Sequence, residues 1–315
     1  MPLDHFVSQV HLRQFYSPAL AGQRMYGFRK RDSLIFQCRS RDVCRIENGS
    51  TNCFLANNRA VEDFLKTIEP YYNQALTSLR VGNPTHRDVY VISGFVAYVT
   101  SCSPAAMRLG VSPLQGIVRA TMEILELSGK LPETPEVFAG KSVSDLLRDG
   151  DIQIKIDKKY PQAIWIQTIL ERINIFGNSD WDLITNNDRH SPFFTSDFPA
   201  AIETSPSGKS LDRIVPLAPD FAVVIHPNRL AKGLRLSDGF PKFNARAVVA
   251  NSTTTKKMNE AIARCAEDFV YFRDLHSWVK PFLQKHSSYQ VETDVLSTDL
   301  DKGILSKFQM RDARR

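Results

Sequence analysis

The sequence predicts an α+β fold in which a helical block packs with an antiparallel, mainly C-terminal β-sheet and an N-terminal basic β-hairpin. Three observations favour this class. Apolar residues recur at helical spacing over about 59–176, short β-type runs fill about 181–275, and aromatic residues alternate with cations over 24–46. Because no clear linker or internal repeat separates these parts, residues 1–280 are predicted to form a single domain, followed by a peripheral C-terminal segment, 281–315.

The basic hairpin is the first element. The chain carries 40 Lys plus Arg and 34 Asp plus Glu, a net charge of +6, and most of the excess lies between Arg24 and Arg45. Runs 25–28 and 34–38 form the predicted strands. Cations among aromatic side chains could hold nucleic-acid phosphates and stack bases, or could instead form a solvated edge that blocks aggregation. The candidate nucleic-acid-binding residues are Arg29, Lys30, Arg31, Arg39, Arg41 and Arg45.

The helical block follows. Apolar residues at spacings of three and four predict a helix from about residue 59, which Pro70 should kink or restart. Further helices are predicted at about 87–101, 113–128 and 160–176. The helix at 87–101 is apolar on nearly every side, which predicts that it lies at the centre of the block.

After Trp181 the pattern changes to short runs of β-type residues, which predict an antiparallel meander. A further strand at 245–250, a helix at 256–265 and a last strand at 268–272 complete the predicted domain. The strands expected in the meander are 181–185, 193–196, 200–203, 213–217 and 221–226.

Composition excludes several classes of protein. A chain of 315 residues with 43% hydrophobic and 23% charged residues matches neither a disordered, a collagen-like nor a disulfide-stapled protein. The longest apolar run, 89–99, is far shorter than the roughly 20 residues that span a bilayer, so no membrane association is expected. Residues 1–5 lack the features of a signal peptide, and five cysteines are an odd number, which together favour a reducing cytoplasm.

Common catalytic signatures fail on inspection. The run 208–210 resembles the end of a phosphate-binding P-loop, but Glu203 occupies the position of the first required glycine. The chain has no Gly-x-Gly-x-x-Gly fingerprint, so a dinucleotide cofactor has no support. Ser196, His190 and Asp197 lie near one another in sequence, yet no Gly-x-Ser-x-Gly elbow holds the serine.

Three weaker features combine into a candidate site. His5 and Gln9 share a face if their segment is helical, and Glu62 and Glu69 lie seven residues apart on one side of a helix. Asp197 stands where a strand runs into a turn. Each feature also has a structural interpretation: a buried histidine, solvated carboxylates, and an aspartate that closes a turn.

We expect His5, Glu62 and Asp197 to lie within one cleft. Their imidazole and carboxylate groups could hold a divalent metal such as Mg²⁺ or Mn²⁺ and activate water. A mechanism without metal, with His5 as general base and Glu62 or Asp197 orienting it, is equally permitted. His11 and Arg13 would line the same cleft if the segment is helical. The second group of candidate catalytic residues is Gln9, Glu69, Ser196 and His190.

A set of short motifs, taken in order, resembles the largely bacterial family known as "domain of unknown function 4238" over roughly residues 5–275. This chain has Ser8 where relatives usually carry proline, and 102–104 reads Cys-Ser-Pro where they often show Arg-Thr-Pro. The resemblance implies the fold boundaries and the choice of residues but no reaction. The motifs are His5-Phe-Val-Ser-x-x-His-Leu-Arg-x-Phe15, Val61-Glu-Asp-Phe-Leu-x-x-x-Glu69, Trp181 before Phe194-Thr-Ser-Asp-x-Pro199, Pro216-Leu-x-Pro219, and Asn251.

Two functions stay open at this point. The first is a hydrolase acting on nucleic acid or nucleotides, such as a metal-assisted nuclease in a bacterial toxin or defence role. The second is a non-catalytic module that binds nucleic acid or protein, in which the His, Glu and Asp residues form a structural polar network. A catalytic role predicts that these side chains meet in a cleft that solvent reaches, whereas a structural role predicts that they are buried and mutually hydrogen-bonded.

Overall fold

The structure is a computed structural model that describes residues 3–138, 140–205, 208, 210–228, 234–300 and 303–314. Most helices follow one another in one part of the chain and most strands in another, so the fold is α+β, as the sequence predicts. The helices are α1 (Gln9–Leu12), α2 (Ala60–Ile68), α3 (Tyr72–Arg80), α4 (His86–Cys102), α5 (Pro104–Leu127), α6 (Val143–Asp149), α7 (Lys159–Gln167), α8 (Ile169–Gly177), α9 (Ser252–Cys265) and α10 (Val279–His286).

The strands form two larger sheets and two separate pairs. Most pairings are antiparallel. The strands are β1 (Leu3–His5), β2 (Met25–Arg29), β3 (Leu34–Cys38), β4 (Arg45–Glu47), β5 (Asp180–Thr185), β6 (Thr195–Ser196), β7 (Ala201–Thr204), β8 (Leu211–Ala218), β9 (Phe221–His226), β10 (Asn244–Val249), β11 (Phe269–Phe272), β12 (Tyr289–Leu300) and β13 (Gly303–Arg314).

Helix α4 is the centre of the helical block, as its uniformly apolar sequence predicts. It packs against α2, α3, α5 and α8, and its residues from Asp88 onward are buried apart from Tyr90. Its start is fixed by a capping box, since the Thr85 hydroxyl accepts from the Asp88 backbone N–H while the Asp88 carboxylate accepts from the Thr85 N–H. This rigid helix supports the N-terminal segment of the chain.

Proline and its neighbours set the helix boundaries. α2 ends at Ile68, a single 3₁₀ turn spans Glu69–Tyr71, and α3 restarts the helix, which agrees with the predicted effect of Pro70. The helix expected at 113–128 begins earlier, at Pro104, because proline is favoured in the first turn and the Ser103 hydroxyl accepts from the Ala106 N–H.

The predicted meander divides between two sheets. β10, β5, β9, β8 and β7 form one sheet in that order, in which β10 pairs parallel to β5 and the other pairings are antiparallel. β6 leaves the meander and pairs with β11 in a second sheet of order β3-β2-β11-β6. The basic hairpin, β2 and β3, is therefore one edge of a sheet that the C-terminal half of the domain completes.

Two apolar cores hold these layers. The first lies between the helical block and the five-stranded sheet, and includes Phe95 and Trp181. The second gathers α9, α10 and the four-stranded sheet, and includes Leu283 and Val291. Both of these residues lie in the segment 281–315, so its first part is packed against the domain rather than peripheral.

Within the described residues no single helix has the length and apolar character needed to cross a membrane. α4 and α5 reach that length and composition only as a pair, and a bend of 60° separates them.

Candidate functional site

A pocket of about 380 Å³ opens where the N-terminal segment meets the end of α2. Three of the residues singled out from the sequence, His5, Gln9 and Glu69, line it together. It combines imidazole, carboxylate, hydroxyl, amide and guanidinium groups, the side-chain types from which hydrolytic sites are built. The polar lining consists of Asp4, His5, Ser8, Gln9, Arg13, Ser50 and Glu69.

Backbone contacts hold the floor of this pocket in place. β1 pairs antiparallel with β4, with His5 opposite Arg45. From the central helix, the Tyr98 hydroxyl donates to the His5 carbonyl at 2.7 Å. The Asp4 carboxylate accepts from the Ser50 backbone N–H at 3.0 Å, which ties β1 to the following loop. His5 therefore has a fixed position although it lies near the chain end.

The turn between β1 and α1 is built at Ser8. Its φ of −57° and ψ of 134° fall within the range that a proline ring imposes. The serine thus has the backbone conformation of a proline, the residue that the family resemblance implies here, and adds a hydroxyl. That hydroxyl is buried and has no hydrogen-bond partner.

His5 also presents an unpartnered atom. Its Nε2 is buried without a hydrogen bond, although the residue as a whole is half-buried. Burial lowers the pKa of His5, hydrogen bonds to the backbone of Ser40 and Arg41 oppose the change, and the Arg45 charge adds to it, so the net shift is downward and the imidazole is neutral at pH 7. His5 and Ser8, which both line the pocket, therefore each carry one buried polar atom without a hydrogen-bond partner, a pattern that water or a ligand normally resolves.

Gln9 and Arg13 form the wall beside the basic segment. The Gln9 Oε1 accepts from Arg13 Nη2 and from Ser40 Oγ, both at 3.3 Å. Gln9 is the first residue of α1, whereas His5 belongs to β1, so the condition for a shared helix face, a helical segment that includes both residues, is not met. They meet because the chain turns at Ser8, and Arg13, which directly follows α1, lines the same pocket.

Asp197 does not join this pocket. It is 4% exposed, and its carboxylate accepts the backbone N–H groups of Glu267, Asp268 and Phe269 at 2.8, 2.7 and 2.9 Å. Burial raises the pKa of Asp197 to about 7, while the backbone donors oppose the rise. Its visible role is to fix the turn from α9 into β11, which corresponds to the structural interpretation of this motif.

The other sequence candidates also lie elsewhere. Glu62 is on the exposed side of α2, where it pairs with Arg59 and with Lys66. The Ser196 hydroxyl accepts from the Phe198 N–H at 3.1 Å and closes a turn. His190 is exposed on a loop. The lining of the pocket includes none of these residues.

His5, Glu62 and Asp197 therefore do not come together in the fold to form a metal site. In the part of the chain that the structure describes, no group of three or more His, Cys, Asp or Glu side chains could hold a metal ion. The sequence cannot reveal this outcome, because the three residues come from a strand, a helix and a turn whose relative positions depend on the whole fold.

His11 belongs to the core instead of the pocket. It is fully buried and is hydrogen-bonded through Nδ1 to the Tyr72 hydroxyl and through Nε2 to the Thr195 hydroxyl, each at 2.8 Å. Its ring stacks on Phe95 with 4.7 Å between centroids. Burial lowers the pKa of His11 to about 3, so it stays neutral, with one nitrogen donating and the other accepting.

The basic residues divide into two groups. Lys30 is structural: it is 4% exposed, and its Nζ donates to the carbonyls of Ala263, Ala266 and Tyr289 at 2.9, 2.7 and 2.6 Å. Arg29 donates to both oxygens of Asp32, to which the exposed Arg31 lies within 3.8 Å. These contacts reduce the hairpin's free positive charge.

Arg39, Arg41 and Arg45 are placed differently. This stretch borders the pocket, because Ser40 contacts Gln9 and β4 pairs with β1. Arg41 makes only a distant contact with Asp42, at 3.8 Å, and Arg39 and Arg45 form no ion pair with any described residue. The pocket therefore opens beside three available cations.

A second polar cluster surrounds His226, the last residue of β9. On one face of the five-stranded sheet, His226 Nδ1 lies 2.9 Å from Asp212 and Nε2 lies 3.2 Å from Asp182. Arg246 on β10 also donates to Asp182. Both ring nitrogens are engaged, so His226 bridges three strands rather than acting as a free base. Alternation along β8 and β5 is the signal that places both aspartates on this face.

Comparison with known proteins adds one finding. Neither the curated proteins nor the solved structures include a match to this chain. The family model described as "Protein of unknown function (DUF4238)" matches residues 4–276, which include every lining residue of the pocket except Leu3 and every strand of both larger sheets. The chain therefore belongs to the DUF4238 family.

Proposed function

We propose that the protein is a hydrolase of nucleic acid or nucleotides, with phosphodiesters as its preferred substrates, and that the N-terminal pocket is its active site. The observation that carries the proposal is a pocket lined by His5, Ser8 and Glu69, in which His5 and Ser8 each have a polar side-chain atom without a hydrogen-bond partner. A neutral imidazole with a free nitrogen is suited to take a proton from water.

Charge around the pocket favours a phosphodiester. Arg39, Arg41 and Arg45 supply the positive potential that attracts a polyanion and positions its phosphates. Inside the pocket, the carboxylates of Asp4 and Glu69 repel negative charge. A phosphodiester carries one charge per phosphate and a monoester close to two, so the carboxylates disfavour a monoester more strongly.

The proposed reaction uses His5 as general base. His5 takes a proton from water, whose oxygen forms a bond to phosphorus as the bond from phosphorus to the leaving alkoxide breaks. The alkoxide takes a proton from solvent. Arg13, at the wall of the pocket, balances charge that develops on the phosphate oxygens. The described residues offer no metal-binding group of His, Cys, Asp or Glu, so no step is assigned to Mg²⁺ or Mn²⁺.

The test is hydrolysis of RNA, DNA and nucleotides by the purified full-length protein and by His5→Gln and Ser8→Ala. His190→Gln is the matched control, because His190 is exposed and outside the pocket. We expect diester cleavage that falls by at least 100-fold in His5→Gln and is unchanged in His190→Gln. Cleavage that survives in a folded His5→Gln variant contradicts the proposal. Growth arrest of bacteria by the wild type and not by His5→Gln would support a toxin or defence role.

A second function, a non-catalytic binding module, is favoured by a specific observation. His11 and Asp197, two of the polar residues most evident in the sequence, are buried and fully hydrogen-bonded. If no substrate turns over, and RNA or DNA binding falls with Arg41→Gln and Arg45→Gln but not with His5→Gln, the binding module replaces the hydrolase.

A further inference from the structure

Glu69 lines the pocket, although no step of the proposed reaction uses it. Its backbone N–H donates to the Leu65 carbonyl at the end of α2, and it begins the 3₁₀ turn that leads into α3, so two helices fix its position. Glu62, on the same helix, forms two ion pairs. The Glu69 carboxylate, by contrast, makes no hydrogen bond or ion pair within the part of the chain that the structure describes.

Gln9 carries a free group of the opposite kind. Its Oε1 accepts from Arg13 Nη2 and from Ser40 Oγ, both at 3.3 Å, which fixes the orientation of the amide. The Nε2 group of this amide is therefore left to donate, and it has no acceptor among the described residues. One residue of the lining thus carries a free acceptor, and another carries a free donor.

The apolar part of the lining suits a flat ring. Leu65 lies one helical turn before Glu69, and Val10 directly follows Gln9. Together with Leu3 they give the pocket apolar surface beside its polar groups. The volume of about 380 Å³ lies in the range of pockets that hold small molecules. A nucleobase matches this lining, because it has apolar faces and a hydrogen-bonding edge.

The order of donors and acceptors along that edge decides which base fits a carboxylate, which has two oxygens and can only accept. Guanine presents two neighbouring donors, N1–H and the N2 amine, with the acceptor O6 beside them. In adenine and cytosine an acceptor nitrogen stands next to the donor amine, and in uracil two carbonyl oxygens flank the N–H. Each of these three bases would therefore bring a lone pair against the carboxylate.

We infer that Glu69 and Gln9 make the pocket selective for a guanine base. The Glu69 carboxylate accepts from N1–H and from the N2 amine, and Gln9 Nε2 donates to O6. The base, rather than a phosphate, then lies against the negative charge of Glu69. It belongs to the nucleotide next to the phosphodiester that is cleaved, so the statement about cleavage rests on the proposed function, whereas binding of the base does not.

The first test is equilibrium dialysis of the full-length protein with guanosine, inosine, adenosine, cytidine and uridine, which carry no phosphate. The variants are Glu69→Gln and, as a matched control, Glu62→Gln, which lies on the same helix but outside the pocket. We expect guanosine to bind at least tenfold more tightly than the other four, since each of them loses a hydrogen bond to a charged group. Inosine lacks only the N2 amine, so it measures that contact without any change to the protein. Glu69→Gln should lose the preference, and Glu62→Gln should keep it.

The second test maps the cleavage sites on an RNA and on a single-stranded DNA of the same sequence, which also shows whether the sugar matters. The wild type and Glu62→Gln should cleave next to guanine, Glu69→Gln should cleave without base preference, and His5→Gln should not cleave. Guanosine binding without any cleavage would support this inference and contradict the proposed hydrolase. Equal binding of guanosine and adenosine by the wild type, or a guanosine preference that survives in Glu69→Gln, would overturn the inference even if cleavage is observed.

Discussion

Three histidines of this chain lie in three environments, and burial together with hydrogen bonding decides what each can do. His5 is half-buried with a free Nε2, which leaves it able to exchange a proton. His11 is fully buried between two hydroxyls and stays neutral. His226 lies between two carboxylates, which favour its charged form. The sequence shows the same side chain in each case.

Replacing His11 by glutamine should change how stability depends on pH. The pKa of His11 is near 6.5 in the unfolded chain and, because of burial, about 3 in the folded protein. Between these values the unfolded state binds a proton that the folded state does not, so the contribution of His11 to stability falls as pH drops below 6.5, by up to about 1.4 kcal/mol per pH unit. The raised pKa of Asp197 acts in the opposite direction, so the quantity to compare is the difference between variant and wild type. His11→Gln should gain stability relative to the wild type as the pH falls, as measured by urea unfolding at pH 7, 6 and 5.

His190→Gln serves as the control for that experiment, because His190 is exposed and should leave the wild-type pH dependence unchanged. If His11→Gln retains the full slope between pH 6 and pH 5, His11 is not the group that takes up the proton on unfolding.

At the same scale, the sequence could identify His5 and Glu69, which belong to the family motifs, and Gln9, which lies four residues after His5. The sequence could not show that Asp197 lies outside the pocket that these residues line. The donors to that carboxylate begin 70 residues further along the chain, so no local pattern records the contact. Ser8 looked like a departure from the family, yet its backbone angles match those of a proline.

Among the elements, strand positions could be predicted and strand partners could not. The run at 221–226 coincides with β9, since β-branched and aromatic residues bounded by turns are a local signal. The expected neighbour relation of β6 and β7 is wrong: β6 pairs with β11 because Asp197 and the following proline turn the chain out of the meander. The predicted helix at 160–176 breaks at Thr168 into α7 and α8.

The polar bridge across β5, β9 and β8 should be strongest in mildly acidic solution. Burial lowers the pKa of His226, but the carboxylates of Asp182 and Asp212 outweigh it and the net shift is upward. Its contribution is therefore present below about pH 6.5 and is lost as the pH rises through the raised value. For Asp182, burial raises the pKa, but Arg246 and His226 outweigh burial and the net shift is downward, so its contribution is lost only in acid, below about pH 3.9.

We expect His226→Gln to lose more stability relative to the wild type at pH 5 than at pH 8. The difference should stay within about 1 kcal/mol, since the histidine is partly exposed to solvent. Urea unfolding midpoints at the two pH values measure it. A gap between wild type and variant that grows toward pH 8 would show that the bridge does not favour the charged imidazole.

At the scale of the whole molecule, the N-terminal hairpin packs against elements from the C-terminal part of the chain. β2 pairs with β11, and Lys30 donates to carbonyls at the end of α9 and at the start of β12. Net charge, helical periodicity and strand runs predict the α+β class. They carry no information on this interleaving, which depends on contacts between residues more than 200 positions apart.

Deletion of residues 288–315 should lower the melting temperature of the protein. It removes the Tyr289 carbonyl from Lys30, the Val291 carbonyl from Arg108, and the buried Val291 side chain from the second core. In the full-length chain, Val291→Ala should reproduce part of the loss, about 2 kcal/mol. Equal melting temperatures for the truncated and full-length proteins would show that the segment is peripheral after all.

The contacts of Lys30 can form only late during translation. The first of its acceptors, the Ala263 carbonyl, lies 233 residues downstream. At roughly 5–20 residues per second, a ribosome needs more than about 10 seconds to deliver it. Throughout that interval the nascent chain exposes the edge of β2 without β11 to cover it. The N-terminal hairpin can therefore complete its sheet only after β11 has been synthesised.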